Sequence, residues 1–244
     1  AEAASRPTMR FVAVKSEEKQ ALGMAFRVRD LFVRQRTQAI NALRGHLAEY
    51  GVIAPQGIAH LGRLIRVVVD PDNGMQASVV ALASMMLDQI KGLQERIDIL
   101  EKEIRTRSKR DDVASRLMTV PGIGPICATA MEAFAPPAET FSRGRDFAAW
   151  VGLTPRQHSS GGKERLGKTS KMGQRDLRRL LITGAMAVVR WAVRKGAPEG
   201  SWLARMLLRK PRMLVAVALA NKMARIAWAL MAKGGIYRNP AVVV

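Results

Sequence analysis

The sequence predicts an all-α protein in which a long helical hairpin, with the repeat of a coiled coil, precedes a compact helical domain. The first half has two long stretches with apolar side chains at helical spacing, at residues 16–50 and 79–104. From Asp111 onward the chain becomes more basic, which marks a second domain. We therefore expect a linker at residues 1–15, the helical hairpin at 16–109 and the compact domain at 110–244.

The stretch from Ser16 to Tyr50 is predicted to form one long helix. It contains no proline, and its apolar side chains recur at helical spacing. They are Leu22, Phe26, Val33, Ile40, Leu43 and Leu47. The same spacing places Arg29 and Arg36 on the apolar face. These arginines either contact nucleic acid or belong to an ion-paired helix face, and the sequence leaves both readings open.

Residues 51–74 are richer in glycine and proline, and we expect a connector there with a short helix around Leu61 to Val69. After it, apolar residues alternate steps of four and three without a break, which is a heptad pattern. They are Val79, Ala83, Met86, Ile90, Leu93, Ile97, Leu100 and Ile104. Two long helices with a short connector predict an antiparallel hairpin, either closed on itself or paired with a second copy, and the second alternative would make the chain a homo-oligomer.

The charge of the chain points to a polyanionic partner. The 244 residues include 40 Lys and Arg against 20 Asp and Glu, a net charge of +20, which an enzyme of neutral metabolites has no reason to carry. Residues 111–244 hold 22 Lys and Arg against 8 Asp and Glu, and residues 1–110 hold 18 against 12. The excess charge is therefore concentrated in the second half.

Several other classes of protein are disfavoured. The single cysteine, Cys127, excludes an internal disulfide, and three histidines add too few ligands for a Cys/His zinc site. The most apolar segment, Met213 to Met231, is interrupted by Asn221, Lys222 and Arg225, so we expect a core helix and no membrane partner. A cytoplasmic location follows.

Residues 117–125, LMTVPGIGP, lead into an alanine-rich segment, the pattern of a helix-hairpin-helix motif. In that motif glycines such as Gly122 and Gly124 let the backbone approach a phosphate, and the start of the next helix binds it. The alternative is an ordinary tight turn between two helices.

The richest segment in possible chemistry is residues 152–179, for which we expect an irregular basic loop that leads into a helix. Ser159 and Ser160 precede two glycines, and cations follow closely, which is a plausible place for a phosphodiester to meet a nucleophile. The cations predicted to bind nucleic acid are Arg156, Lys163, Arg165, Lys168, Lys171, Arg175, Arg178 and Arg179. Spacing alone favours the alternative, a flexible basic loop with solvated serines.

Two enzyme motifs in this segment are weaker. Residues 162–169, GKERLGKT, match the phosphate-loop pattern of nucleotide hydrolases, but that loop needs a buried strand directly before Gly162, and none is predicted. His158 lies two residues before Ser160, yet the segment lacks the G-x-S-x-G turn of serine hydrolases. We interpret His158 as a loop or DNA-contacting residue.

Three stretches give the chain a resemblance to a known family. They are Arg10 to Lys15 with residues 34–38 and 41–47, residues 120–124, and residues 147–156 continuing through Ser159 to Lys163. The chain resembles the DEDD-type insertion-sequence transposases, also described as bridge-RNA-guided recombinases. The last stretch is the most specific, and by motif alignment the family's nucleophilic serine falls on Ser160.

The resemblance implies further parts and partners. Family members carry an N-terminal resolvase-like domain with four acidic ligands for Mg²⁺ ions, then a coiled coil, then a helical transposase domain. We expect the acidic domain to be missing here, no cofactor in this chain, and Asp111 and Asp112 to be helix-capping or solvated residues. The implied partners are double-stranded DNA and a guide (bridge) RNA. The chain alone should bind but not cut, so a non-enzymatic nucleic-acid-binding protein is the alternative.

Overall fold

The computed structural model describes residues 2–5 and 14–238, and it is helical apart from one small two-stranded sheet, which confirms the all-α prediction. The helices are α1 Glu2–Ser5, α2 Glu17–Glu49, α3 Leu61–Val69, α4 Ala77–Arg110, α5 Asp112–Leu117, α6 Pro125–Phe134, α7 Gly144–Val151, α8 Arg175–Lys195, α9 Trp202–Arg209 and α10 Arg212–Lys233. The strands are β1 Pro155–Gln157 and β2 Leu166–Thr169. Most of the predicted linker at residues 1–15 lies outside the described residues.

The described chain divides into two compact units. One contains the described residues up to Gly23 together with those from Ile104 onward, and the other is Met24–Glu103. The sequence placed the division near residues 109–112. The start of α2 and the end of α4 belong to the first unit. There Arg107 of α4 ion-pairs with Glu18 of α2 (2.8 Å) and with Glu132 of α6 (2.7 Å). The hydrogen bond to Glu132 raises the pKa of Arg107.

In the unit Met24–Glu103, α2 and α4 run antiparallel. Arg29 bonds to Glu101 and Arg36 bonds to Gln94, so residue numbers rise along α2 as they fall along α4. A buried apolar cluster joins both helices to the connector helix α3. Its members are Ile40, Leu43, Leu47, Ala54, Leu64, Val68, Ala83 and Ile90. This is the helical hairpin that the apolar spacing predicted, whereas its coiled-coil geometry and its pairing with a second copy stay predictions.

The two arginines on the apolar face of α2 are bonded within this unit. Arg29 Nε donates to Glu101 Oε1 (3.0 Å), and both side chains are less than one-fifth exposed. Arg36 Nη1 donates to the side-chain oxygen of Gln94. At these two positions the structure therefore favours the paired helix face over contact with nucleic acid.

The other unit has α8 and α10 at its centre, with α5, α6 and α7 packed around them. Leu177, Leu181 and Val189 of α8 are buried, as are Val215 and Met223 of α10. Phe147 and Val151 of α7 complete this core. Asp111 caps α5 by accepting a hydrogen bond from Ala114 N, which confirms the capping role expected for it.

Among the described helices, only α10 is long and apolar enough to cross a membrane. It nevertheless packs against α8 and α7 through buried positions such as Ala216, Ala220, Ala224 and Ala227. Small side chains on that face let the helices approach closely. The segment Met213 to Met231 is thus a helix of the core, as its interrupting polar residues indicated.

The apolar face of α4 provides a stability test. Ile97 is 2% exposed, whereas Ile99 is 67% exposed. Ile97→Asp buries an unpaired carboxylate, so we expect it to lower the free energy of unfolding by roughly 3 kcal/mol or more. Urea unfolding followed by circular dichroism measures this. The control Ile99→Asp should change stability by less than about 0.5 kcal/mol, and equal losses in the two variants would contradict the assigned face.

Candidate nucleic-acid interface

Residues 155–169 form a β-hairpin, which we call the serine hairpin. Its strands pair antiparallel, with Pro155 opposite Thr169 and Gln157 opposite Leu166. The main-chain ladder continues toward the turn, where His158 N donates to Arg165 O (2.8 Å). The prediction of an irregular loop here is wrong. The strands are short, exposed and mostly polar, so they lack the apolar alternation by which strands are recognised in sequence.

The tip of the serine hairpin is a two-glycine turn. Lys163 N donates to Ser160 O (3.1 Å), and Gly161 and Gly162 between them have φ angles of 57° and 77°. Positive φ at both central residues is the requirement of a type I′ hairpin turn, which favours Gly-Gly. This pair was the signal that predicts a hairpin. The glycines thus shape the turn and present Ser160 directly before it.

The two adjacent serines differ in their surroundings. The Ser159 hydroxyl accepts hydrogen bonds from Gln157 Nε2 (2.6 Å) and from Arg165 N (2.8 Å), so it holds the two strands together. Ser160 is exposed, and among the described residues none hydrogen-bonds to its hydroxyl. Of the two hydroxyls, Ser160 has the one that is open to an incoming phosphate.

The phosphate-loop pattern at residues 162–169 does not form a phosphate loop. Gly162 lies in the tight turn, and Gly167, Lys168 and Thr169 lie in strand β2. A phosphate loop needs these last residues at the start of a helix, where main-chain N–H groups converge on the ligand. The nucleotide-hydrolase alternative is therefore excluded by the local fold.

Two glycines fix the base of the serine hairpin. Gly152 ends α7 in the left-handed conformation (φ 81°), and a Cβ atom there would lie 1.8 Å from Met172 O. Gly173 has φ 88°, and a Cβ atom there would lie 1.9 Å from Trp150 O. Neither position has room for a side chain, so the incoming and outgoing backbones are in direct contact.

Arg178 ties α8 to the same base. Its Nη1 donates to Val151 O (2.9 Å) and to Met172 O (3.2 Å), one carbonyl before the hairpin and one after it. The sequence predicted that Arg178 binds nucleic acid. The structure gives it contacts within the chain that position the serine hairpin on α8.

Cations cover the exposed surface of the serine hairpin. Arg156, Arg165, Lys168 and Lys171 line one concavity of about 690 Å³ together with His158. Within the described chain none of these four cations, nor Lys163 at the turn, forms an ion pair. Arg175 and Arg179 are exposed at the start of α8. No carboxylate of the described chain pairs with the four cations of the concavity or with Lys163, so their charges remain available to phosphates.

The glycines of residues 117–125 serve different purposes. Gly122 has φ 90°, and a Cβ atom there would lie about 3.0 Å from Gly184 O of α8 and 2.9 Å from the Met223 side chain of α10. Gly124 is exposed, with open space at its Cβ position, just before α6. Packing in the core explains Gly122, whereas only Gly124 leaves backbone open to a ligand. The helix-hairpin-helix interpretation and the phosphate role of both glycines stay predictions.

Other chemistry is limited in the part of the chain that the structure describes. Burial raises the pKa of Cys127 to about 12, so its thiol is not an ionised nucleophile at neutral pH. The His158 ring lies against Gly167 on the opposite strand. Residues 2–5 and 14–238 contain no group of three or more His, Cys, Asp or Glu that could hold a metal ion. The described residues therefore provide no cluster of four acidic ligands like the one that the resemblance implies for Mg²⁺.

Comparison with known proteins identifies the family. The family model described as "Transposase IS116/IS110/IS902 family" matches residues 114–198, from α5 through the serine hairpin to the end of α8. Over 239 residues the chain is 47% identical to a "Probable family 20 transposase" of Pseudomonas aeruginosa. The aligned residues are 97% of this chain and 71% of that protein. The chain belongs to the IS116/IS110/IS902 transposase family.

Two further relatives of this transposase are named for insertion sequences. It is 37% identical to the "Transposase for insertion sequence element IS1328" of Yersinia enterocolitica, over 97% of this chain and 70% of that protein. It is 35% identical to the "Transposase for insertion sequence element IS1111A" of Coxiella burnetii, over 98% of this chain and 66% of that protein. The transposase chain thus spans about two thirds of the length of these relatives.

The two glycines before α6 can be separated by experiment. Gly122→Ala combines a strained φ with contacts of about 3 Å or less to α8 and α10, so we expect it to lower the free energy of unfolding by about 2 kcal/mol or more. Gly124→Ala meets open space and should change stability by less than about 0.5 kcal/mol. Thermal and urea unfolding test both. A stable Gly122→Ala protein would refute the packing role.

Proposed function

We propose that this chain is the DNA-handling part of a transposase of an insertion element, in which Ser160 attacks a DNA phosphodiester. Family membership supports action on DNA, and the exposed cations around the serine hairpin supply the matching charge. The observation that carries the serine assignment is the contrast between the two hydroxyls. Both serines are exposed, but the Ser159 hydroxyl is hydrogen-bonded within the hairpin, whereas the Ser160 hydroxyl has no hydrogen bond within the described residues.

The proposed step is a transesterification, which forms one phosphoester bond as another breaks and therefore needs no external energy source. The Ser160 oxygen loses its proton to a base and forms a bond to phosphorus, while the bond from phosphorus to one deoxyribose oxygen breaks. That leaving oxygen takes up a proton and becomes a free hydroxyl. Because the phosphoserine link conserves the phosphodiester, a different DNA hydroxyl can reverse the reaction and join new strands. Nearby cations such as Lys163 stabilise the charge that develops on the phosphate oxygens.

The remaining partners are proposed from the resemblance in sequence. They are a guide (bridge) RNA, a second copy of the chain that pairs through the helical hairpin, and an acidic domain that holds Mg²⁺. The alternative is a basic protein that binds nucleic acid without cutting it. The same cations support both functions, so only the fate of the Ser160 hydroxyl separates them.

Binding is tested first, through its dependence on salt. On duplex DNA the slope of log affinity against log salt is negative, and it should become less negative by about 0.9 for each phosphate that the protein no longer neutralises. Replacing Arg156, Lys168 and Lys171 together by glutamine should weaken duplex binding and flatten this slope. The matched control replaces three exposed cations of α4, Lys91, Arg96 and Lys102, which removes the same charge from the helical hairpin. Equal effects from the two triple variants would show that the serine hairpin is not the binding surface.

Cleavage is tested in a chain that carries the acidic domain, with Ser160→Ala. Because Ser160 makes no side-chain hydrogen bond within the described residues, we expect the fold and the affinity for duplex DNA to be unchanged. The covalent protein–DNA adduct should disappear, together with strand exchange. Denaturing gels with end-labelled DNA detect the adduct.

The control is Ser159→Ala, which removes an acceptor shared by Gln157 and the backbone of Arg165. It should loosen the serine hairpin and slow the reaction, but the adduct should still form. An adduct that survives Ser160→Ala and is lost in Ser159→Ala moves the nucleophile to Ser159. Recombination by both single variants and by the double variant would show that neither serine is the nucleophile and would overturn the serine mechanism.

A further inference from the structure

An open groove of about 1280 Å³ is lined by strand β2 of the serine hairpin, by helix α10 and by the starts of α7 and α9. We call it the α10 groove. Five basic residues line it, namely Arg143, Arg145, Lys168, Lys222 and Arg225. Its lining contains no Asp or Glu. An occupant of this groove is therefore expected to be strongly anionic.

The floor of the α10 groove is apolar, although it is open to solvent. Leu166 of β2 is 57% exposed, and Met213 and Leu214 of α10 are 58% and 52% exposed. Exposed apolar side chains that adjoin one another mark a binding surface more often than scattered ones do. The occupant should therefore present apolar surface as well as negative charge.

Two tryptophans add aromatic surface to the same lining. The Lys222 ammonium lies 4.9 Å from the centre of the Trp202 ring, which places a cation next to an aromatic face. Trp228 Nε1 donates to Ala138 O (3.0 Å), so the orientation of that ring is fixed. Rigid aromatic and apolar surface between cations is the composition of sites that hold unpaired nucleotides.

We propose that the α10 groove binds single-stranded DNA next to the serine hairpin, with phosphates on the five cations and bases on the apolar floor. Duplex DNA fits this composition poorly, because its bases are stacked inward and its outer surface offers only phosphates and groove edges to the floor. The inference rests on the proposed function, which supplies DNA as the substrate.

Strand β2 connects the groove to the proposed nucleophile. The chain runs from Lys163 at the turn to Lys168 in the groove lining, which is five residues and thus at most ~17 Å along a strand. A single strand leaving the Ser160 turn therefore reaches the groove within a few nucleotides. Unpairing next to the cut site would place one strand in the groove and hold it apart from its complement.

The test uses the full chain and fluorescein-labelled dT20, a 20-base-pair duplex and rU20. Leu214→Asp places a negative charge in the groove, and its control, Leu208→Asp, makes the same change on α9 at a position that is 88% exposed and outside the groove. We expect Leu214→Asp to weaken dT20 binding about tenfold or more. Leu208→Asp should change dT20 binding less than threefold, and both variants should bind the duplex alike.

A second variant removes aromatic surface without changing charge. Trp202→Leu should also weaken dT20 binding, by about fivefold or more, with little effect on the duplex. Thermal melting verifies that each variant is folded, and Met213→Asp replaces Leu214→Asp if the latter does not fold.

Three results would overturn the inference. They are equal loss of dT20 affinity in Leu214→Asp and Leu208→Asp, tighter binding of rU20 than of dT20, and a chain dimer that dissociates in Leu214→Asp, which would make the groove a contact between copies. The proposed function fails separately, because it depends on the adduct at Ser160. Ser160→Ala should bind dT20 like the parent chain, whatever its adduct assay gives.

Discussion

The contact between the backbones at Gly152 and Gly173 is the constraint on which the serine hairpin depends. Each glycine lies against a carbonyl of the opposite segment, closer than any side chain would permit. Arg178 adds two hydrogen bonds across the same junction. The hairpin therefore leaves the helical core from a fixed point between α7 and α8. Its strands make few apolar contacts of their own, so this base determines where its tip lies.

Two groups of arginines and lysines in this chain have different physical roles. Arg29, Arg36 and Arg107 bond to acidic or amide side chains and stabilise contacts between helices. The cations of the serine hairpin have almost no acidic neighbours, since Glu164 is the one carboxylate in residues 155–169. Net charge alone does not separate these groups. The cations of the second group remain free to neutralise phosphates, and they lie in the part of the chain matched by the family model.

Much of the fold could be predicted from the sequence, because helical periodicity is a local signal. The long helices and the connector helix at Leu61–Val69 were predicted with nearly the bounds observed. The serine hairpin was missed because its strands are polar and short, although the Gly161-Gly162 pair was a usable turn signal. Long-range contacts gave no local signal at all. The packing of Gly122 against α8 and α10 was not predicted, since nothing near it in sequence shows that these helices lie there.

The same limit applies to the candidate site. The motif resemblance predicted Ser160 as the nucleophile. The structure adds that the hydroxyl of its neighbour, Ser159, is hydrogen-bonded within the hairpin. Arg178 looked like one more cation in a basic run, and its contacts with Val151 and Met172 become visible only when α7 and α8 are folded together. The α10 groove was not anticipated because its lining comes from separate segments spread over residues 143–229.

The register of the serine hairpin also limits how the segment between Gln157 and Gly161 can change during evolution. Side chains alternate between the two faces of a strand, so the loss or gain of one residue there reverses the face on which every following side chain lies. The face whose hydroxyl now accepts from Gln157 and Arg165 would then exchange places with the face whose hydroxyl makes no hydrogen bond within the described residues. A single-codon deletion could thus leave the charge of the loop unchanged and still move the Ser160 hydroxyl from its position beside the turn. Sequence drift in this segment should therefore proceed by substitution, with its length held constant.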